Sequence, residues 1–167
     1  MDEAKVSAEK HLGKSGSGIT LAVIMERKPI ISKWSDHRWE AVGVVPDPDD
    51  AAAGPREISQ DGVKKWLFPG LELKLYGDEA ENYQLNIGAP EPRVFVIWRL
   101  EDEIAVPVMV TVSYGEAARM MDANEQVDGV PLPADLFGWI EDFARNHYRP
   151  PEEKKRRRYA SSNLKTE

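Results

Sequence analysis

The chain holds three histidines and no cysteine, so its chemistry rests on imidazoles, carboxylates, hydroxyls and cations. His11, His37 and His147 fall in a leader, a loop and a helix end. None has a partner at a zinc-ligand spacing such as i+4 on a helix, so the sequence calls for no metal. Asp36, His37 and Ser113 supply the residue types of a hydrolytic triad. Any chain of this size supplies such a trio, and no nucleophile elbow is present. Asp78 with Glu79, and Glu101 with Asp102, are read as solvated turn carboxylates. Gly13, Lys14 and Ser15 match the end of a phosphate-binding loop. The glycine that motif needs five positions earlier is Ala8, and no strand precedes it. No cofactor is called for, and catalysis has no candidate residue.

Recognition has more to work with. In SKWSDHRWEAVGVV, residues 32–45, two tryptophans flank Asp36, His37 and Arg38. Period two puts Trp39, Ala41, Gly43 and Val45 on one strand face, which predicts that Trp39 is core with its indole N–H on a backbone carbonyl. Trp34 lies before that strand, where no periodicity buries it. Trp34, His37 and Arg38 are therefore candidates for a contact site, because Trp and Arg carry interface energy. Folding of Trp34 back over the end of the sheet is the competing reading. Trp98 and Arg99, on a later strand, are further binding candidates.

The elements that must position these residues follow from the hydrophobic period. From Ile19 to Tyr114 that period is two. ITLAVIMER, RWEAVGVV, LELKLY, the alternation of Tyr83, Leu85 and Ile87, RVFVIWRL and IAVPVMVTVSY predict about six strands. GDEAEN and LEDEI read as turns, and DPDDAAAGP as a loop. Pro107 places its strand at an edge, a bulge or a beginning. The connections are too short for crossover helices. The expected fold is α+β: an antiparallel, curled or barrel-like sheet followed by two C-terminal helices. Ser113 and Glu116 form a capping-box pattern for the first helix. VDGVPLP leads to the second, with Pro133 in its first turn. Its Leu136, Trp139, Ile140 and Phe143 make an apolar stripe that packs on the sheet.

The 167 residues divide into a disordered leader (1–18), a single α+β domain (19–149) and a basic disordered tail (150–167). Lys154, Lys155, Arg156, Arg157 and Arg158 run together in the tail. Without those five positive charges the net charge of −7 becomes −12. Such a body repels phosphate backbones and anionic membranes, so the tail reads as a solvated segment that helps solubility or grips an acidic partner, rather than one that binds nucleic acid. The apolar run 19–25 is too short to span a bilayer and has no cleavage site behind it. The expectation is a cytoplasmic protein with no membrane partner.

Four blocks in combination carry a resemblance: LAVIMERKPI with the following W-x4-W and GVV; YGDEAENYQLNI; RVFVIWR; and VTVSYGEAARMMDANEQVDGVPLP leading to HYRPPEEKKRRR. Over roughly residues 19–158 they are similar to a small bacterial family of unknown function, encoded beside formate dehydrogenase and molybdenum-cofactor genes. Some members are labelled molybdopterin-guanine dinucleotide synthesis proteins, but the glycine-rich nucleotide loop of such an enzyme is missing here. The resemblance implies an accessory role near a molybdoenzyme. The expected function is thus a non-catalytic interaction protein, assisting assembly of a formate dehydrogenase-type molybdoenzyme and binding it or a maturation factor. Two alternatives stand beside it. One is a small-molecule or cofactor carrier with Arg38, Trp98 and Arg99 at the mouth of the sheet. The other is an RNA-binding module using the aromatic strands and the tail.

Overall fold

A computed structural model describes residues 18–47 and 53–150. The leader up to residue 17 and the basic tail, Lys154 to Arg158 included, lie outside the described residues. Among the described residues, seven strands and three α-helices follow in the order β1 (Gly18–Pro29), β2 (His37–Pro46), β3 (Arg56–Glu57), β4 (Lys64–Lys74), α1 (Ala80–Ile87), β5 (Arg93–Glu101), β6 (Ile104–Thr111), α2 (Tyr114–Asp122), β7 (Gln126–Pro131) and α3 (Ala134–His147).

The fold is α+β, and every strand pairing is antiparallel. The strands form two sheets rather than one, ordered β2-β1-β4-β3 and β6-β5-β7. β4 lies beside β6 and β2 beside β7. The sheets therefore curl toward each other like a barrel that hydrogen bonds do not close. At the β2/β7 seam a side chain stands in for the missing ladder. Asp128 Oδ2 accepts from the Ala41 amide at 2.9 Å and from the Trp98 indole Nε1 at 2.8 Å.

β1 runs through the centre of the larger sheet, and Leu21, Val23 and Met25 are fully buried. They meet Val94, Val96, Trp98 and Val112 from the smaller sheet and Leu136, Ile140 and Ala144 from α3 in one continuous core. Leu73 and Leu75 point inward while Glu72, Lys74 and Tyr76 face water, as the alternation requires. A bulge in β2 opposite Ile24/Met25 shifts the pattern after Ala41, so Val44 is buried and Val45 exposed, against the expected face. Pro107 lies on β6, an edge strand of its sheet, beside the irregularity at Ile97/Trp98. LEDEI is a two-residue hairpin with Asp102 and Glu103 both at positive φ, 49° and 68°.

Four local expectations are corrected. Residues 82–87 are helical, not a strand. Ala80, Tyr83 and Asn86 are its buried positions, three apart, and Leu85 is exposed. α1 is held from the side. The Tyr83 hydroxyl accepts from the Tyr76 amide, and Asn86 bonds the backbone of Arg93 and Val112. VDGVP is the core of strand β7, paired with β5, rather than a lead-in to the last helix. At α2, Ser113 Oγ accepts from the Glu116 amide at 3.1 Å, as a cap should. The glutamate does not reach back: the Ser113 amide donates to Thr111 Oγ1, and the Glu116 carboxylate bonds Thr111. Pro133 sits just before α3, not in its first turn. α3 packs along α1, and its stripe joins the core that the strands line.

Candidate functional site

Residues 30–36 join β1 to β2 and carry the most exposed large apolar side chains among the described residues. Ile31 and Trp34 are 109% and 93% exposed. Ile30 is partly exposed beside them. Burying two such side chains is worth about 1.5–3 kcal/mol each. Nothing in the described part of the chain takes up that stabilisation.

The loop is braced at its neck and within itself. The Ile30 amide donates to the Asp36 carbonyl at 3.1 Å. Ser32 Oγ accepts from the Trp34 amide, and Ser35 Oγ donates to the His37 carbonyl. Asp36 Oδ1 and His37 Nδ1 stand 2.6 Å apart, and that bond holds the Asp36 carboxyl below the usual carboxylate range. Below the neck, Arg27 pairs across the ladder with Trp39. Its guanidinium lies 6.0 Å from the Trp39 ring and 5.8 Å from that of Trp66. The two indoles are 5.0 Å apart. A cation over two tryptophans, one of them core, makes a stiff base. The tip is thus presented rather than collapsed, which lowers the ordering cost of binding.

The sequence candidates divide accordingly. Trp34, His37 and Arg38 sit together on this hairpin. Arg38 is exposed, and neither it nor Lys33 makes an ion pair among the described residues. Trp34 does not fold back on the sheet. Trp98 and Arg99 belong to the other sheet. Trp98 is 7% exposed and bonded to Asp128, so it is core. Arg99 is exposed and forms a two-point pair with Glu125, at 2.7 and 3.0 Å. Trp39 is buried, as its strand face implies, but its Nε1 has no hydrogen-bond partner among the described residues. The expected carbonyl acceptor is therefore corrected. Ile31 escaped sequence reasoning. The signal was present, since a two-isoleucine run after Pro29 and ahead of a polar loop has no strand partner to cover it.

At the foot of the hairpin lies an open cleft of about 480 Å³, lined by Arg27, Pro29, Asp36, His37, Lys64 and Glu103 among others. Arg38, Trp98 and Arg99 do not line it. The cleft is rimmed mainly by charged ends, whereas small-molecule sites are mostly apolar. A second cluster joins α1 to α2. Glu79 accepts from Ser113 Oγ at 2.7 Å, from Arg119 at 2.8 Å and from Asn82 at 2.9 Å. Burial acts to raise the Glu79 carboxyl, but those bonds outweigh it and hold it low. Burial raises Glu116 and pushes the Tyr83 hydroxyl up to about 12. Ser113 is fully buried, so this cluster ties helices together and offers no accessible nucleophile. Among the described residues no group of three or more His, Asp or Glu is placed to hold a metal ion. No helix among them is long and apolar enough to cross a membrane.

The chain belongs to a family described as proteins of unknown function, DUF3305, whose model matches residues 20–158. Searches of the curated proteins and of the solved structures find no match.

Proposed function

We propose that this is a non-catalytic interaction protein that engages a protein partner through the β1–β2 hairpin tip. The supporting observation is the full exposure of Ile31 and Trp34 on a braced hairpin. The chemistry of the tip describes its partner: an apolar pocket for the indole and the isoleucine, rimmed by acid for Lys33 and Arg38. The basic run Lys154 to Arg158 adds a salt-sensitive second contact. The family resemblance supplies the class of partner, a formate dehydrogenase-type molybdoenzyme or one of its maturation factors, and the role of assisting its assembly.

The test is capture of such an enzyme from native cells with wild-type and Trp34→Ala protein, with bound small molecules also extracted. Capture by wild type that falls with Trp34→Ala, at unchanged melting temperature, supports the reading. Equal capture by both proteins overturns it. A small molecule recovered without any protein favours the carrier reading and the cleft at the hairpin's foot.

A further inference from the structure

A second apolar surface lies at the other pole of the molecule. Two adjoining clefts, of about 410 and 450 Å³, share Ile87 from α1 and Phe137 from α3. Pro90, Pro92 and Leu132 continue the apolar floor. Phe137 is 37% exposed, an exposed aromatic at the start of a helix whose other face is core. The prolines stand just before β5, whereas the β5–β6 turn at Glu103 shares a cleft with Pro29, Asp36 and His37 at the hairpin's foot. The nine residues of β5 therefore separate groove from tip by roughly 25–30 Å.

One chain thus carries an apolar projection at one end and an apolar concavity at the other. Their charges are complementary. The tip has Lys33 and Arg38 without ion pairs among the described residues. At the groove, Arg145 is neutralised by Glu141 and Asp142, and Arg93 by Glu91. Asp135, between the groove residues Ala134 and Phe137, makes no ion pair among the described residues. That leaves net acid beside the groove and net base beside the tip.

We propose that the hairpin tip of one copy seats in the Ile87–Phe137 groove of a second copy. Trp34 and Ile31 enter the clefts, and Lys33 and Arg38 face Asp135. The two surfaces differ and lie at opposite poles, so the contact is heterologous and adds copies head to tail. A contact carried by one hairpin tip is expected to bury less than the roughly 1,200 Å² of a stable interface, so association is weak and rises with concentration. The inference rests on the reading of the tip as a contact surface. It adds a consequence: a partner that takes the tip and a second copy that takes the tip exclude each other.

Sedimentation velocity on the full chain, from micromolar to millimolar concentration, tests this. Wild type is expected to pass beyond dimer as concentration rises, while Trp34→Ala and Phe137→Asp each stay monomeric. Mixing the two variants restores one intact tip and one intact groove, so the mixture forms a heterodimer and goes no further. If Phe137→Asp fails to fold, Asp135→Arg serves in its place. It weakens association, and pairing it with Arg38→Glu chains restores it. A wild type that stays monomeric at millimolar concentration overturns the inference, as does a mixture that forms no heterodimer. The readings fail separately. Partner capture by a strictly monomeric protein removes self-association alone, and tip-dependent self-association without any partner removes the proposed function alone.

Discussion

Trp34 and Trp39 flank the point where the β1–β2 loop becomes a paired strand, and their exposures are 93% and 6%. The same side chain meets opposite fates because only Trp39 has a ladder partner, Arg27, and a neighbouring sheet residue, Trp66, to cover it. Pairing register, not residue type, decides which indole becomes core. The remaining one is held out by hydrogen bonds that are satisfied inside the loop, leaving the apolar ring as its free valence. A stable base and an unsatisfied tip are thus produced within one hairpin, and each has its own observable.

The largest expected effect comes from the base. Trp39→Ala should cost about 3–5 kcal/mol of stability by denaturant titration, because the cavity forms between two sheets that cannot collapse onto it. Trp39→Phe should cost much less, since the lost indole N–H has no acceptor among the described residues. Next is the seam that holds the hairpin to the smaller sheet. Asp128→Ala leaves the Ala41 amide and the Trp98 N–H without their acceptor, a loss of about 2–4 kcal/mol. Hydrogen exchange at Ala41 should accelerate in that variant. If it does not, the carboxylate is incidental to the seam.

Trp34→Ala should behave in the opposite way. Its melting temperature stays at the wild-type value, while partner affinity falls by about 2 kcal/mol, roughly thirtyfold. A Trp34→Ala chain as unstable as Trp39→Ala would erase the contrast and return Trp34 to the core. The smallest effect lies at the same pole. Glu103 holds φ at 68° in the β5–β6 turn, a conformation that suits glycine better than glutamate. Glu103→Gly should therefore raise stability by about 0.5–1 kcal/mol with partner capture unchanged. A loss of capture would extend the contact surface from the tip into the cleft that Glu103 lines.

Much of this was present in the residues themselves. Period-two alternation located β1, β2, β5 and β6 and the last four residues of β4, whose first seven were not read as strand. The serine of the capping-box pattern marked the start of α2, and the stripe of Leu136, Ile140 and Phe143 marked the buried side of α3. Those signals are local: a half-buried strand and an amphipathic helix each write their period into a few consecutive residues. Trp34 was placed at a strand entrance by the same reading, but the sequence fitted an exposed ring and one folded back over the sheet equally well, and only the structure shows it exposed.

Three features needed the tertiary structure. Tyr83, Leu85 and Ile87 alternate like a strand, yet eight residues are too few to separate the two periods. The helix won because Ala80, Tyr83 and Asn86 find a buried side, with Asn86 satisfying strand ends distant in sequence. β7 contains Asp128, Gly129 and Pro131, a composition that reads as a loop. Pairing along β5 overrides that weak propensity. Trp98 looked available as a binding residue until Asp128, thirty positions away, supplied an acceptor for its N–H inside the core. A local pattern determines which face of an element is apolar. Which neighbour covers that face, and which polar group is rescued there, depends on contacts distant in sequence, and those are settled only when the sheets meet.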